Sequence, residues 1–172
     1  MIEDYWPRIC GMHVQPNSNV GCVWMAHDKD RDLVHVYDAC IFRSEVLAVI
    51  AEGLNARGRY VPVAWAHKEF SASLLDRGVN MLPESVEASQ ASAEVATQEL
   101  IERMRTHRFK VERRLQVWVD EYQSFERENQ QVPTDTHPLM SATRYAVQCL
   151  PYARRVRAKS AARQMFPRVA IV

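Results

Sequence analysis

Residues 8–42, RICGMHVQPNSNVGCVWMAHDKDRDLVHVYDACIF, decide the fold of this chain. Apolar runs over residues 8–14, 20–27 and 33–42 are separated by two polar segments, QPNSN and DKDRD, whose residue types are those of tight turns. Short runs of this kind predict strands, and two tight connections predict an antiparallel meander of three strands.

After the meander, the apolar residues recur at helical spacing. We expect a helix over residues 45–57 with Ser44 as its N-cap. Strand and helix patterns then alternate, and helices follow from residue 84 onward. The order predicts an α/β architecture, a mixed sheet flanked by helices, whose fourth strand lies beside the first. The remaining predicted elements are strands at 61–66 and 79–82 and helices at 71–77, 88–107, 115–127 and 138–150.

Two of these helices have an apolar face that we expect to be buried. In the helix over 138–150, Pro138 suits the first helical position, and we expect no strand or core helix beyond Leu150. The expected buried residues are Ala91, Val95, Ile101 and Met104 in the helix over 88–107, and Leu115, Trp118, Val119, Tyr122 and Phe125 in the helix over 115–127.

The charge of the chain is unevenly distributed. Residues 1–150 carry 16 Lys and Arg against 21 Asp and Glu, although the whole chain has a net charge of +1. We therefore expect one domain over residues 1–150 and a basic tail over 151–172, suited to an anionic partner. A solvated tail, or a short strand over residues 169–172, is the alternative. The tail holds no acid and six cations, Arg154, Arg155, Arg157, Lys159, Arg163 and Arg168.

Several functional classes find no support in the sequence. It has no P-loop signature, so we expect no nucleotide binding and no DNA translocation by this chain. It has neither a long apolar run nor a basic-then-apolar leader, so we expect no membrane span and no signal peptide. Its four cysteines are scattered, which is typical of reduced, buried thiols in a cytoplasmic protein.

Six collinear segments resemble the C-terminal nuclease domain of the large terminase subunit of tailed bacteriophages. The last is the most specific, since members of that family often carry L-M-x-A-T-R-Y in this helix, preceded by an acidic pair. The segments are WPRICGMHV (6–14), DRDLVHVYD (30–38), VPVAWAH (61–67), VNMLPE (79–84), MRTHRFKVE (104–112) and LMSATRYAV (139–147).

The resemblance implies a ribonuclease-H-like fold and cleavage of concatemeric DNA during genome packaging, in the host cytoplasm. It also implies acidic residues that bind two divalent cations, Mg²⁺ or Mn²⁺, because hard cations prefer carboxylate oxygens. In this sequence His13, Lys68 and His137 stand where the family has acids, with Asp135 close by. The departure implies impaired cleavage, and we expect no metal cofactor. We also expect residues 135–138 to lie close to His13.

The leading hypothesis is a nuclease-like terminase domain in viral DNA packaging that retains binding to double-stranded DNA. The first alternative is an active endonuclease that uses displaced acids or histidines as ligands of Mg²⁺, Mn²⁺ or a softer ion. The second is a protein-interaction module that binds a packaging protein or a host factor. Cations could neutralise phosphates in the leading case, and the candidates are Lys68, Arg144, Arg154, Arg155, Arg157 and Lys159.

Overall fold

The computed structural model describes residues 2–43 and 46–156. Within them, six strands form one mixed sheet with the order β4-β1-β2-β3-β5, and β6 pairs with β1. The elements are β1 (Pro7–Val14), β2 (Val20–Asp28), β3 (Leu33–Phe42), α1 (Leu47–Ala56), β4 (Val63–Ala64), α2 (Lys68–Leu75), α3 (Gln90–Arg105), β5 (Phe109–Val111), α4 (Gln116–Ser124), α5 (Pro138–Gln148), a 3₁₀ turn (Leu150–Tyr152) and β6 (Arg154–Arg155).

The predicted meander is confirmed. β1 pairs antiparallel with β2, and β2 pairs antiparallel with β3. The first connection closes through a hydrogen bond from the Gln15 amide to the Asn19 carbonyl, with Ser18 in the left-handed region at φ 64°. In the second, Oδ1 of Asp28 accepts hydrogen bonds from the amides of Asp30 and Arg31. A backbone hydrogen bond thus closes the first turn, and a short polar side chain holds the second.

The strands at the two ends of the order β4-β1-β2-β3-β5 are parallel to their neighbours, whereas β6 pairs antiparallel with β1. β4 pairs with β1 and β5 pairs with β3, which makes the sheet mixed, as predicted. The predicted position of the fourth strand beside the first is therefore confirmed, although that strand spans Val63–Ala64 and not residues 61–66. The predicted strand over 79–82 reduces to a single bridge from Met81 to Val63.

Helix α5 lies directly on β1 and β2. Residues 138–147 are all buried, and Pro138 occupies the start of the helix as predicted. The contact depends on glycine, because a Cβ added at Gly11 would stand 1.9 Å from the carbonyl oxygen of Ala142. A Cβ added at Gly21 would stand 2.6 Å from the carbonyl carbon of Pro138. The two glycines thus bring the helix close to the sheet.

Helix α1 covers the opposite face of the sheet. The Arg57 guanidinium, which follows α1, lies 5.0 Å from the centre of the Trp24 ring and donates a hydrogen bond to Asp38 at 2.9 Å. The helix begins at Leu47 and not at residue 45, and its predicted N-cap Ser44 lies outside the described residues. Helix α2, by contrast, begins earlier than predicted, at Lys68 and not at residue 71.

The predicted buried face of α3 is wrong for Ala91, Val95 and Ile101, which are exposed, whereas Met104 packs partly buried against the core as predicted. Val95 is 69% exposed and Ile101 is 38% exposed, whereas Ala93, Ala96 and Leu100 are buried. The alanines allow a close approach to α5, so small residues and not the β-branched ones define the contact face. In α4, burial of Trp118 is confirmed at 3% exposure, but Tyr122 is 45% exposed and stacks on the outside of the Trp118 ring.

The sheet extends beyond the expected end of the domain. Arg154 and Arg155 form β6 opposite Pro7 and Arg8 of β1, and Ala153 before them is buried. The expectation that no strand lies beyond Leu150 is therefore wrong, because a two-residue strand has no periodicity to detect. The short strand expected over residues 169–172 lies outside the described residues.

The four cysteines are free thiols, three of them buried and Cys40 partly exposed. In the part of the chain that the structure describes, no helix has the length and apolar character needed to cross a bilayer.

Candidate functional site

A cavity of about 230 Å³ opens at the carboxyl end of β1. Three separate elements supply its polar side chains: His13 comes from β1, His67 from the residue before α2, and Tyr145 from α5, while Asp135 precedes α5. The prediction that residues 135–138 approach His13 is confirmed, because Nε2 of His13 lies 3.7 Å from Oδ1 of Asp135. The other lining residues are Met12, Val14, Ala66, Ala88 and Thr134.

His13 is the most buried polar group of this cavity, at 6% exposure. Its Nδ1 lies 3.3 Å from the Tyr145 hydroxyl, and its Nε2 has no hydrogen-bond partner within residues 2–43 and 46–156. Burial lowers the pKa of His13 to about 4, against the opposing effect of Asp135; Arg144 and His67 lower it further. The imidazole is therefore neutral near pH 7, with a nitrogen free to accept a proton, a hydrogen bond or a metal ion.

Two loops position the partners of His13. The side-chain amide of Gln15 donates a hydrogen bond to the backbone carbonyl of Asp135, which ties the segment before α5 to the end of β1. The amide of Phe70 donates to Nδ1 of His67 at 3.5 Å, so His67 caps α2. The cap fixes the imidazole at the mouth of the cavity.

The donor set of this cavity does not fit a pair of hard divalent cations. It contains two imidazoles and one carboxylate, Asp135, whereas Mg²⁺ requires mainly oxygen ligands. Over residues 2–43 and 46–156, no group of three or more His, Cys, Asp or Glu side chains is arranged to hold a metal ion. The geometry supports hydrogen bonding at His13, and Asp135 supplies the carboxylate of the cavity.

Two residues predicted for the site lie beside it. Lys68 begins α2 with an exposed side chain and is not part of the described cavity wall. His137 turns away from His13, because its Nδ1 lies 2.8 Å from the Thr136 hydroxyl and its ring packs edge-on against Phe125 at 5.2 Å. The prediction that His137 belongs to the site is therefore wrong. The chain enters α5 in a direction that turns this side chain away from His13.

Arg144, predicted to line a DNA-binding groove, is buried at 2% exposure. Its Nη2 donates to the Pro133 carbonyl at 3.1 Å and to the Ser141 hydroxyl at 2.8 Å. Its guanidinium carbon lies 5.8 Å from the centre of the Phe125 ring. Arg144 therefore presents no cation on the protein surface to the backbone of duplex DNA, and the prediction that it lines a DNA-binding groove is wrong.

The cations of the predicted tail divide into two groups. Arg154 and Arg155 are exposed in β6 and pair with the start of β1. Because His13 stands five residues further along β1, this edge is about 16 Å from the cavity. Arg157 and Lys159 lie outside the described residues, as do Arg163 and Arg168.

Sequence reasoning missed two residues of the cavity. His67 stands one position before Lys68 within the matched stretch VPVAWAH, and Tyr145 is the final tyrosine of LMSATRY. Both residues lie within segments that resemble the terminase nuclease family, but no spacing rule relates them to His13. They lie beside His13 only because α2 and α5 pack near the end of β1.

Comparison with known proteins identifies the fold. No protein-family model and no curated protein sequence matches the chain. Among solved structures, the P22 large terminase nuclease domain superposes with a TM-score of 0.82 at 21% identity, over 91% of this chain and 88% of that one. The large terminase nuclease domain of bacteriophage SPP1 with bound Mn gives 0.66 at 16% identity, over 86% of this chain and 92% of that one.

A third similar structure is the large terminase nuclease of the thermophilic phage G20c with bound zinc. It gives a TM-score of 0.64 at 14% identity, over 86% of this chain and 83% of that one. The three matches cover nearly all the described residues, and their mixed sheet with flanking helices is the architecture found here. The chain therefore has the ribonuclease-H-like α/β fold of the large terminase nuclease domains.

Proposed function

We propose that this chain is a nuclease-like domain of the large terminase type, which acts in viral DNA packaging, binds double-stranded DNA and cleaves it poorly. Three lines support the proposal: the collinear motifs, the terminase nuclease fold and the chemistry of the cavity beside β1. The proposed location is the host cytoplasm, where packaging takes place.

The observation that carries the proposal is the composition of that cavity. Asp135 is its one carboxylate, its side chain is 61% exposed, and a buried neutral imidazole stands beside it. Two-metal phosphodiester cleavage needs several carboxylate oxygens to hold both cations. The side chains of the cavity therefore do not fit a pair of divalent cations.

A plasmid-nicking assay tests the loss of cleavage. We expect supercoiled plasmid to stay intact with the full chain and Mg²⁺ or Mn²⁺ at neutral pH. The matched pair of variants is Asp135→Asn, in the cavity, and Asp30→Asn, in the exposed turn between β2 and β3. Nicking that Asp135→Asn abolishes and Asp30→Asn leaves intact would overturn the proposal.

A second candidate is an endonuclease with displaced ligands. It is favoured by the unpartnered Nε2 of His13, which lies 3.7 Å from a carboxylate oxygen of Asp135, with His67 in the same wall. Nitrogen donors suit Zn²⁺ or Mn²⁺ better than Mg²⁺. Calorimetric titration with ZnCl₂ separates the two candidates. The endonuclease with displaced ligands requires that the chain bind Zn²⁺, and that this binding be lost in both His13→Gln and His67→Gln.

DNA binding would rest on lysine and arginine side chains. We propose that the exposed Lys68, Arg154 and Arg155 contact phosphates, and that Arg157 and Lys159, outside the described residues, do so as well. With about four phosphates neutralised, affinity for duplex DNA should fall about a hundredfold between about 50 and 200 mM salt. In the full chain, Arg154→Gln with Arg155→Gln should reduce the log–log salt slope by about 2.

The control for that experiment removes the same charge elsewhere. Arg105 is the last residue of α3, and Arg113 follows β5; both are exposed, and neither makes an ion pair within the described residues. Their double glutamine variant should leave the slope nearly unchanged. An equal reduction of the salt slope in the two double variants would indicate a general effect of charge. No binding at low salt would instead favour the alternative of a protein partner, in keeping with the excess of acids over residues 1–150.

A further inference from the structure

A second cavity lies on the other side of α5, between α3, α4 and α5. Its volume is about 380 Å³, within the usual range of sites for small molecules. Most of its wall is apolar or aromatic, and it does not communicate with the His13 cavity through any shared lining residue. Its lining residues include Thr97, Leu100, Ile101, Trp118, Phe125 and Arg144.

Two side chains that line this cavity hold buried polar atoms with no hydrogen-bond partner among the described residues. Arg144 makes hydrogen bonds through Nη2, but its Nε and Nη1 make none within that part of the chain. The second is Thr97 on the facing helix α3, whose hydroxyl likewise finds no partner there. A buried donor without an acceptor destabilises the folded chain, and more strongly when the group is charged.

The charge of Arg144 has no direct ion-pair partner. Within the described residues, no carboxylate lies within 4 Å of its guanidinium nitrogens. The Glu94 and Glu121 carboxylates act on it from a greater distance, and Oε1 of Glu121 accepts a hydrogen bond from the Met140 amide at 2.8 Å. A buried cation normally has a paired anion. The wall of this apolar cavity therefore holds a cation with no anion in contact with it.

We propose that this α3–α4–α5 cavity binds a small organic carboxylate with an aromatic or aliphatic body. The body would pack against Leu100, Trp118 and Phe125, and the carboxylate would accept hydrogen bonds from Arg144 and Thr97 after a small side-chain adjustment. The inference goes beyond the proposed function and does not depend on it, because it uses none of the residues of the His13 cavity.

A pair of matched probes tests the charge requirement. 3-Phenylpropanoate and its neutral analogue 3-phenylpropan-1-ol share a ring and a chain length, so they differ in the head group alone. We expect isothermal titration of the full chain to show the carboxylate binding at least about tenfold more tightly, as for one charge-assisted hydrogen bond. Equal affinity of the two probes, or no binding of either, would overturn the proposal.

Variants then locate the site. Thr97→Val keeps the shape and removes the hydroxyl, and Ile101→Trp fills the cavity from an edge residue that is 38% exposed. We expect the first to weaken carboxylate binding about fivefold and the second to abolish it, with the thermal midpoint of unfolding unchanged within a few degrees. Arg144→Gln should bring the affinities of the two probes to the same value. If that variant fails to fold, the other two decide, and unchanged affinity in both would overturn the assignment of the site.

Discussion

Nε2 of His13 lies 3.7 Å from Oδ1 of Asp135, although the two residues come from opposite ends of the described chain. The distance is that of a salt bridge. Burial nevertheless lowers the pKa of His13 to about 4, so the pair carries one negative charge and not two opposite charges near pH 7. The contact therefore joins a neutral base to a carboxylate.

This pair predicts a specific loss of stability in acid. The folded pKa of His13, about 4, is below the ordinary value of 6.5, so the unfolded chain binds the proton more tightly. Stability from this group is complete above pH 6.5 and is lost as the pH falls toward 4, by up to about 3 kcal/mol. Denaturant unfolding at several pH values should show this loss in the native chain and not in His13→Gln. If the stability of the native chain and that of His13→Gln fell in parallel with decreasing pH, the prediction would be wrong.

The ring of Trp118 is predicted to be a major stabilising contact. It is 3% exposed, and its Nε1 donates a hydrogen bond to the Thr143 hydroxyl at 3.0 Å, which joins α4 to α5. Trp118→Ala should lower the free energy of unfolding by about 3–5 kcal/mol. The neighbouring Val117→Ala, at a site that is 39% exposed, should change it by less than about 0.5 kcal/mol. Similar losses in the two variants would be inconsistent with the packing described.

Glycine at position 11 should be indispensable. An alanine there would place its Cβ 1.9 Å from a backbone carbonyl oxygen of α5, which cannot move aside without shifting the helix. Gly11→Ala should reduce stability by about 3 kcal/mol or more, measured by chemical denaturation.

Gly53→Ala provides the contrast. Its added Cβ would meet the Phe42 ring at 2.7 Å, and a side chain at the edge of the sheet can adjust. The change also favours the helical conformation by about 1 kcal/mol. We expect it to cost much less than Gly11→Ala, and a stable Gly11→Ala protein would refute the close contact between α5 and the sheet.

Asp32 is predicted to hold α3 to the turn between β2 and β3. Its carboxylate accepts hydrogen bonds from Arg103 and Arg108 and lies 3.0 Å from Nε2 of His27. Asp32→Asn keeps the shape, and asparagine tolerates the left-handed backbone at φ 47°. Because the buried Arg103 loses an anionic partner, stability should fall by about 1–2 kcal/mol.

The matched control for that loss is Asp30→Asn in the same turn, whose exposed side chain makes no ion pair among the described residues. Thermal denaturation should separate the two variants. The Asp32 interactions should also weaken in acid, since hydrogen bonds from His27, Arg103 and Arg108 lower the pKa of this carboxyl against the opposing effect of its burial. Stability from this group is present above its ordinary pKa and is lost as the pH falls below it. Identical behaviour of the two variants would contradict the predicted role.

Local patterns were enough to predict much of the fold. The meander followed from alternating apolar runs and two polar turns, and α5 followed from Pro138 and its helical spacing. Burial of Trp118 followed from the same helical spacing. These features depend on residues that are near one another in sequence, so the period of the pattern reports them directly.

Tertiary structure alone decided the rest. β5 and β6 are strands of three and two residues that exist because β3 and β1 offer edges to pair with. The inward face of α3 depends on which side chains let α5 approach, so its larger residues stay exposed. Arg144 is buried and His67 joins His13 because separate elements meet around α5. No sequence period encodes such meetings, since they arise from packing between segments distant in the chain.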